Sequence, residues 1–338
     1  MGRPRALVAV VAGGLLLAGC GTGPSQVGSA AIVGDRSVSL EQVQSLIDQA
    51  VRTQPYAQKL AREHKVELLG REVVRQQVLH ELTANAAQRE GIVADQKKIA
   101  GLIAQETAAP VTDTGQGDQV AVTQIISQLR DRTETATDVV LEQQLAQKYL
   151  PKLSVGAEYL GIKASGDDDD VTRARALDYG KQFLADPGKM TAAIQQAQAE
   201  GQQAQQTGMP APSGFTAGGS QLFGADQYPG LASTPVFGSP QGSVVVFQAE
   251  KPQSPDWFVF VIHTRGTDQA VPADQPPQKP SDAQLTAIGT RLLQPYVDQT
   301  GLRINPRYGV WDVMSMSVVP SLNPARGAVL VRGSSAQQ

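Results

Sequence analysis

Apolar residues recur every three or four positions through most of the first half of the chain, which is the spacing of amphipathic helices. Ser39 has the side chain of a helix cap at the start of this region, and Gly91 is typical of a helix end. Short apolar stretches on both sides of the turn pair Gly34-Asp35 predict a small hairpin before the first helix. We therefore predict a mainly helical domain over residues 30–150.

The pattern of the second half changes from one long helical region to strands and helices in succession. Residues 155–163 have the composition of a strand, two helices follow, and a region rich in glycine and proline covers residues 208–242. Two further strands are predicted at 243–248 and 257–264. This order predicts an α+β domain over residues 151–268, so that the fold class of the whole chain is α+β.

The last part of the chain contains three segments of different composition. Residues 269–280 are rich in proline and predict a linker across the surface. Asp282 opens a final amphipathic helix, and we assign residues 281–320 to this helix and the segment that follows it. Residues 321–338 are predicted to form a flexible tail.

The first twenty residues have the layout of a secreted lipoprotein. Two arginines precede an apolar run that is too short to span a membrane, as in a secretory signal peptide. The run ends in four residues that resemble the lipobox of bacterial lipoproteins: Leu17, Ala18, Gly19 and Cys20. The resemblance implies that residues 1–19 are removed, that Cys20 carries a diacylglycerol, and that residues 20–29 form a flexible tether. Cys20 then anchors the protein to the extracytoplasmic face of the cell membrane; the alternative is an ordinary signal peptide with an incidental cysteine.

Composition and motifs exclude several classes of function. The formal net charge is −3, and no cluster of lysine and arginine interleaved with aromatic residues favours nucleic acid as a partner. The glycine-rich motifs that bind nucleotide phosphates are absent. His80 and Glu81 begin the zinc-binding pattern H-E-x-x-H, but Ala84 occupies the position of the second histidine. We therefore expect no metal site, no cofactor and no nucleic-acid partner.

Two parts of the sequence resemble a known family. The stretch from Ala31 to Asp35, followed by Ser39 and an amphipathic helix, resembles the N-terminal domain of the SurA-type periplasmic chaperones and of the PrsA-type extracytoplasmic foldases. Residues 305–312, with the sequence NPRYGVWD, resemble a segment near the end of actinobacterial lipoproteins with a SurA-like N-terminal domain.

The resemblance carries an expectation about how the two ends of the chain meet. In SurA-type architecture, the C-terminal helix completes the N-terminal chaperone domain. This implies that residues 281–320 pack on the helices of residues 39–150. An ion pair between Arg307 and Asp312 is a candidate for fixing this contact, and the alternative is that both side chains are merely exposed.

Residues 151–268 resemble a degenerate parvulin domain, the prolyl isomerase module of these chaperones. Tyr159 and Phe258 stand where the parvulin family has histidines on its first and last strands, and Gly218–Gly224 and Phe237 are similar to other family elements. Prolyl isomerisation must lower a barrier of about 18–20 kcal/mol by favouring a twisted amide, for which the family uses a few polar groups. Because both histidines are replaced, the resemblance implies weak isomerase activity or none, and we assign no catalytic residue.

Aromatic residues are the candidates for binding apolar peptide segments in this domain. The five candidates are Tyr159, Phe215, Phe223, Phe237 and Phe258. For Tyr159 and Phe258, the alternative is that they are packing residues on adjacent strands. Exposure of apolar side chains is the physical requirement for binding a non-native polypeptide.

The leading hypothesis from these observations is a membrane-anchored, ATP-independent chaperone or foldase that binds unfolded or newly secreted polypeptides. One alternative is an envelope scaffold or binding lipoprotein that has a SurA-like fold without chaperone activity. Another is a weak peptidyl-prolyl isomerase. A solute-binding lipoprotein would require repeated βαβ units, which the long helical first half does not support. The sequence assigns no oligomeric state.

Overall fold

The structure is a computed structural model that describes residues 28–106, 109–112, 115, 117–163, 169–208, 213–249, 256–269, 276–321 and 327–332. The predicted signal peptide, the lipobox and Cys20 lie outside these residues, as does most of the predicted tether. No helix within the described ranges is long and apolar enough to span a membrane.

A β-hairpin and six helices form the first half of the chain. They are β1 (Ser29–Val33), β2 (Arg36–Ser39), α1 (Leu40–Thr53), α2 (Pro55–Arg62), α3 (Glu67–Glu90), α4 (Gln96–Gln105), α5 (Asp118–Leu129) and α6 (Arg132–Tyr149). The side chain of Ser39 accepts a hydrogen bond from the backbone nitrogen of Gln42 (3.0 Å), and Gly91 ends α3 in the left-handed conformation with a φ of 63°. Both predicted helix boundaries are therefore confirmed. Helix α3 lies at the centre, in contact with β1, α1, α5 and α6.

The second half contributes four strands and four helices. They are β3 (Ser154–Lys163), α7 (Asp169–Ala185), α8 (Pro187–Thr207), β4 (Phe215–Gly224), α9 (Pro229–Ala232), α10 (Pro235–Gly238), β5 (Val244–Ala249) and β6 (Asp256–Gly266). The C-terminal part adds α11 (Asp282–Leu292), α12 (Gln294–Thr300), β7 (Arg303–Ile304), β8 (Val310–Asp312), β9 (Ser317–Val319) and β10 (Ala328–Leu330). Together with the helices of the first half, these elements make the fold a mixed α+β one, as the sequence predicts.

A five-stranded sheet is the core of the second half. Its strands lie in the order β10-β5-β6-β3-β4, and every neighbouring pair is antiparallel. Helices α7 and α8 cover one face, where Phe183 and Met190 pack against Leu160, Ile162 and Trp257 of the sheet. Since side chains alternate along a strand, the neighbours of these sheet residues point to the opposite face.

Five strands lie where the sequence predicts none: β7, β8 and β9 in the segment after the final helix, and also β4 and β10. Strand β4 occupies part of the region predicted as a glycine-rich loop, and β10 lies inside residues 321–338, which were predicted to form a flexible tail. The loop and tail predictions are therefore wrong at these positions. Each of these two strands is defined by its partner, because β4 pairs with β3 and β10 pairs with β5. Such pairing satisfies backbone hydrogen bonds even where the local sequence pattern is weak.

The C-terminal segment packs directly on the first half of the chain. Helix α11 lies so close to α6 that a Cβ atom added to Gly289 would be 2.1 Å from the carbonyl oxygen of Glu142. Strand β7 pairs with β1, and the ring of Tyr308 lies against Gly70 of α3. One apolar core consequently extends from the helices of the first half through α11 to one face of the large sheet.

The ion pair considered between Arg307 and Asp312 is not formed within the part of the chain that the structure describes. The carboxylate of Asp312 accepts hydrogen bonds from the backbone nitrogens of Met314 (3.0 Å) and Ser315 (3.2 Å) and from the hydroxyl of Ser315 (2.6 Å). These bonds close the turn between β8 and β9, a common role of aspartate in turns. The guanidinium of Arg307 instead lies over the ring of Tyr308, 6.0 Å from its centre.

Candidate peptide-binding site

An aromatic cluster covers part of the sheet face that points away from α7 and α8. We define this aromatic face by five side chains: Tyr159, Phe223, Phe247, Phe258 and Phe260. The ring centres of Tyr159 and Phe260 are 5.3 Å apart, and those of Phe247 and Phe258 are 6.0 Å apart. These spacings are typical of aromatic pairs in contact. The cluster therefore forms one continuous apolar surface across four strands.

The rings of the aromatic face differ in their exposure to solvent. Phe223, Phe247 and Phe260 are buried, with 6%, 9% and 4% of their surface exposed. Tyr159 and Phe258 are only partly buried, and they pack against the main core from its edge. The available part of the surface consequently consists of these two rings, which lie 6.3 Å apart between centres.

Two glycines allow the exposed rings to lie flat on the sheet. A Cβ atom at Gly218 of β4 would be 2.3 Å from Cε1 of Tyr159, and one at Gly161 of β3 would be 3.0 Å from Cε1 of Phe258. Aromatic side chains are known to cover glycines on neighbouring strands in this way. Larger residues at these glycines would lift the rings away, so the flat surface depends on both positions.

An exposed strand edge lies beside the two rings. Strand β4 is at the end of the sheet and pairs only with β3 among the described strands. Thr216 and the run Ser220–Leu222 in this strand are exposed. The edge therefore presents backbone hydrogen-bonding groups next to an apolar surface, the combination that binds extended peptides by strand addition.

The structure brings three of the five predicted aromatic residues together on this face: Tyr159, Phe223 and Phe258. Phe215 lies on the opposite face, buried among the helices, with the ring of Tyr179 5.5 Å away and the guanidinium of Arg175 4.6 Å away. Phe237 of α10 is fully buried in the main core. Neither of these two residues contributes to a surface that a polypeptide can reach.

The opposite orientations of Phe215 and Phe223 result from a β-bulge. From Ala157 to Tyr159 strand β3 advances two residues, while its partner β4 advances three, from Gln221 to Gly218. The extra residue reverses the alternation of side chains along β4. Phe247 and Phe260 also lie on this face but are not among the five predicted residues, although their alternation with other apolar residues on β5 and β6 indicates this position.

Aromatic rings beside an open strand edge are chemically suited to bind apolar segments in an extended conformation. No family model matches the chain, and no curated protein matches it at a significant level. The assignment of the aromatic face as a binding site therefore depends on its geometry and exposure.

A second cluster of functional side chains joins α3 to α6. Ligand atoms of His80, Glu134 and Asp138 lie within 4.8 Å of one another, a spacing suited to a metal ion. The guanidinium of Arg130 occupies this position, because its Nη2 donates to the carboxylates of Glu134 and Asp138. The Nδ1 atom of His80 lies 2.7 Å from Asp138, and this hydrogen bond raises the pKa of His80. The cluster is thus a structural ion-pair network that holds two helices together.

Proposed function

We propose that this protein is a membrane-anchored extracytoplasmic chaperone that binds unfolded or newly secreted polypeptides without ATP. The observation that carries the proposal is the pair of partly exposed rings, Tyr159 and Phe258, beside the open edge of β4. The lipid anchor on Cys20 belongs to the same proposal, since it would hold this surface where exported chains emerge.

The aromatic face is suited to extended, non-native segments. A segment that adds to β4 would form main-chain hydrogen bonds with the strand edge and direct alternate side chains toward the rings. Folded proteins bury most of their large apolar side chains and protect their strand edges, so they offer few such contacts. The surface consequently selects unfolded chains by their conformation.

Release without ATP follows from the small size of the available surface. Covering one partly exposed ring contributes roughly 1 kcal/mol, so two rings with a few hydrogen bonds give weak, reversible binding. When a bound segment folds, its apolar side chains become buried in its own core, and the equilibrium shifts toward release by mass action. Binding then competes with aggregation rather than with folding.

We also propose that the chain is a relative of the SurA-type chaperones with a degenerate parvulin domain. The contact of α11 with α6 and the pairing of β7 with β1 support this relationship, because the C-terminal segment adds to the first half of the chain. If the protein is also an enzyme, the proposal is a weak peptidyl-prolyl isomerase with its site at Tyr159 and Phe258. A chromogenic Xaa-Pro peptide would report such activity directly.

Removal of the two rings should weaken protection of an aggregating client. We expect the protein, produced as Cys20→Ser to keep it soluble, to delay aggregation of a chemically unfolded protein after dilution. The double variant Tyr159→Ser/Phe258→Ser should bind an unfolded client about thirtyfold more weakly and need correspondingly more protein for the same delay, because two ring contacts of roughly 1 kcal/mol each are lost. Light scattering measures the delay.

The matched control is Val93→Ser, since Val93 is 82% exposed but lies on a loop of the first half. This variant should protect as well as the unchanged protein. Gln221→Glu adds a charge beside Tyr159 at an exposed position without removing a packed ring, and it should also weaken protection. Equal protection by all these variants, or no delay by the unchanged protein, would contradict the proposal. Tight, selective capture of one membrane partner instead would favour a scaffold.

A further inference from the structure

A cleft between α12 and β10 lies apart from the aromatic face. It consists of two neighbouring cavities of about 350 Å³ and about 470 Å³. Asp298, Val313 and Val329 line both, so the two cavities lie side by side along the same helix and strand. Volumes in this range are typical of sites that bind small molecules or short peptide segments.

An arginine in the smaller cavity has no carboxylate partner among the residues that the structure describes. The Nε atom of Arg265, at the end of β6, donates to the carbonyl oxygen of Phe237 (3.0 Å). Its two terminal nitrogens have no hydrogen-bond partner within the described ranges. Burial lowers the pKa of this guanidinium, against smaller opposite effects of the hydroxyls of Tyr149 and Tyr296. A partly buried cation without a counter-ion is costly, and an anionic ligand would offset that cost.

The remaining walls of the smaller cavity indicate which chemical group of the ligand lies next to its anionic group. They are largely apolar, with Pro240, Pro295, Val313, Val329 and Val331 beside the polar side chains of Ser239, Gln294, Asp298 and Gln299. A guanidinium binds a carboxylate through two parallel hydrogen bonds, whereas a phosphate dianion would be repelled by Asp298 in the same wall. The chemistry therefore fits a monoanionic carboxylate attached to a short apolar group.

The larger cavity indicates that the ligand continues beyond its carboxylate. Its lining includes the exposed carboxylate of Asp298, and also Gly301, where a Cβ atom would have no neighbour within 4 Å; the carboxylate of Asp312 in the same lining is already hydrogen-bonded within its own turn. A hydrocarbon tail would displace water from the Asp298 carboxylate and from the backbone at Gly301 without replacing its hydrogen bonds, whereas a peptide backbone supplies both donors and acceptors. The cleft is thus better matched to a polypeptide than to a fatty acid.

We propose that the cleft between α12 and β10 binds the C-terminal end of a polypeptide, with Arg265 holding the terminal carboxylate and the apolar wall holding the last side chain. The inference does not depend on the aromatic face, because the two surfaces share no residue. The protein would then have two separate binding sites, one for the C-terminal end of a polypeptide and one for extended segments.

Tryptophan fluorescence can test this proposal. The chain has two tryptophans, of which Trp257 is 1% exposed beneath α7 and α8, while Trp311 lines the larger cavity. The probe is an acetylated tetrapeptide that ends in two valines with a free carboxyl group. We expect it to change the emission of Trp311, and the same peptide with a C-terminal amide to bind at least about tenfold more weakly, since the charged hydrogen bonds are lost.

Variants and competing anions complete the experiment. Arg265→Gln should weaken binding of the free-carboxyl peptide at least about tenfold. Arg332→Gln is the matched control, because Arg332 is exposed near the cleft and its Nε donates to Leu184; it should leave affinity unchanged. Asp298→Asn, a change at an exposed position, should tighten peptide binding a few fold because it removes a negative charge from the cavity. This variant tests the proposal even if Arg265→Gln does not fold.

Three outcomes would overturn the proposal. The first is equal binding of the free-carboxyl and amidated peptides, or no binding of either at millimolar concentration. The second is binding of hexanoate as tight as that of the peptide, which would assign the cleft to small carboxylic acids. The third is preferential binding of inorganic phosphate, which would show that Arg265 recognises charge alone.

Discussion

Replacement of Gly289 with alanine should lower the free energy of unfolding by roughly 2–4 kcal/mol, because the new methyl group meets backbone atoms. The added Cβ would lie 2.1 Å from the carbonyl oxygen of Glu142 and 2.8 Å from its Cα atom. A side chain could rotate away, but the backbone of α6 cannot, so α11 must move outward. That movement would open the contact that joins the C-terminal segment to the first half. Urea denaturation followed by circular dichroism measures the change.

The control for this variant is Gly101→Ala. Gly101 lies in α4, and a Cβ atom there would have no neighbour within 4 Å. Alanine has the higher helix propensity, so Gly101→Ala should stabilise the protein by about 0.5–1 kcal/mol. The opposite signs separate the packing effect at Gly289 from the general effect of replacing a helical glycine. If both variants stabilised the protein, α11 and α6 would not be in the close contact described.

Replacement of Glu142 with glutamine should stabilise the protein at high pH, by roughly 1–3 kcal/mol at pH 9. Glu142 lies between α6, α3 and α11, with the hydroxyls of Thr83 and Thr290 beside its carboxyl group. Burial, and then the charge of Asp138, raise the pKa of Glu142 to about 8, against smaller opposite effects of the hydrogen bond from Thr290 and of the charge of Arg75. At pH 9 the folded protein must therefore hold a buried negative charge in the contact between α11 and α6.

The effect of Glu142 on the free energy of unfolding changes with pH in a definite direction. Between about pH 4.5 and 8 the folded protein retains a proton on Glu142 that the unfolded chain releases, so stability falls as the pH rises through this window. Glutamine keeps the shape of the neutral acid and does not ionise. The variant should consequently match the unchanged protein near pH 5 and exceed it increasingly toward pH 9.

The control for the pH effect is Glu41→Gln, since Glu41 is exposed in the first turn of α1. This variant should change stability by less than about 0.5 kcal/mol at either pH. Thermal or urea unfolding at pH 5, 7 and 9 provides the comparison. A Glu142→Gln variant that is destabilised by the same amount at all three values would show that the carboxylate is charged and paired in the folded protein.

Helix boundaries could be predicted from the sequence because they depend on neighbouring residues. Ser39 and Asp95 each accept hydrogen bonds from backbone nitrogens two or three residues later, and Gly91 supplies the left-handed backbone that ends α3. Ser281 likewise caps the last long helix, α11, in a capping box completed by Gln284. These interactions are encoded within a few positions, so their patterns are visible in one sequence.

Strands β4 and β10 could not be predicted in the same way. Strand β4 contains Gly218 and Gly219 and has no regular alternation, and β10 has only three residues. Their existence depends on β3 and β5, which are distant in the sequence. A strand of weak local preference forms when a partner with free backbone groups is available, which one sequence does not reveal.

The candidate site was only partly predictable for a related reason. Tyr159 and Phe258 could be singled out because the resemblance to the parvulin family implies histidines at these two positions. The orientation of Phe215 depends on a bulge in β4, and the burial of Phe237 depends on where α10 packs. Sequence pattern identifies apolar residues, but the register and the tertiary contacts decide which of them face solvent.

The most direct test of the account is photo-crosslinking from the aromatic face. Benzoylphenylalanine placed at Phe258 should form covalent adducts with a chemically unfolded polypeptide on irradiation, and should capture little of the same polypeptide when it is folded. The same probe at Val93, which is 82% exposed in the first half, should capture much less of the unfolded chain. Equal capture from both positions, or equal capture of folded and unfolded polypeptide, would contradict the claim that this face binds non-native chains.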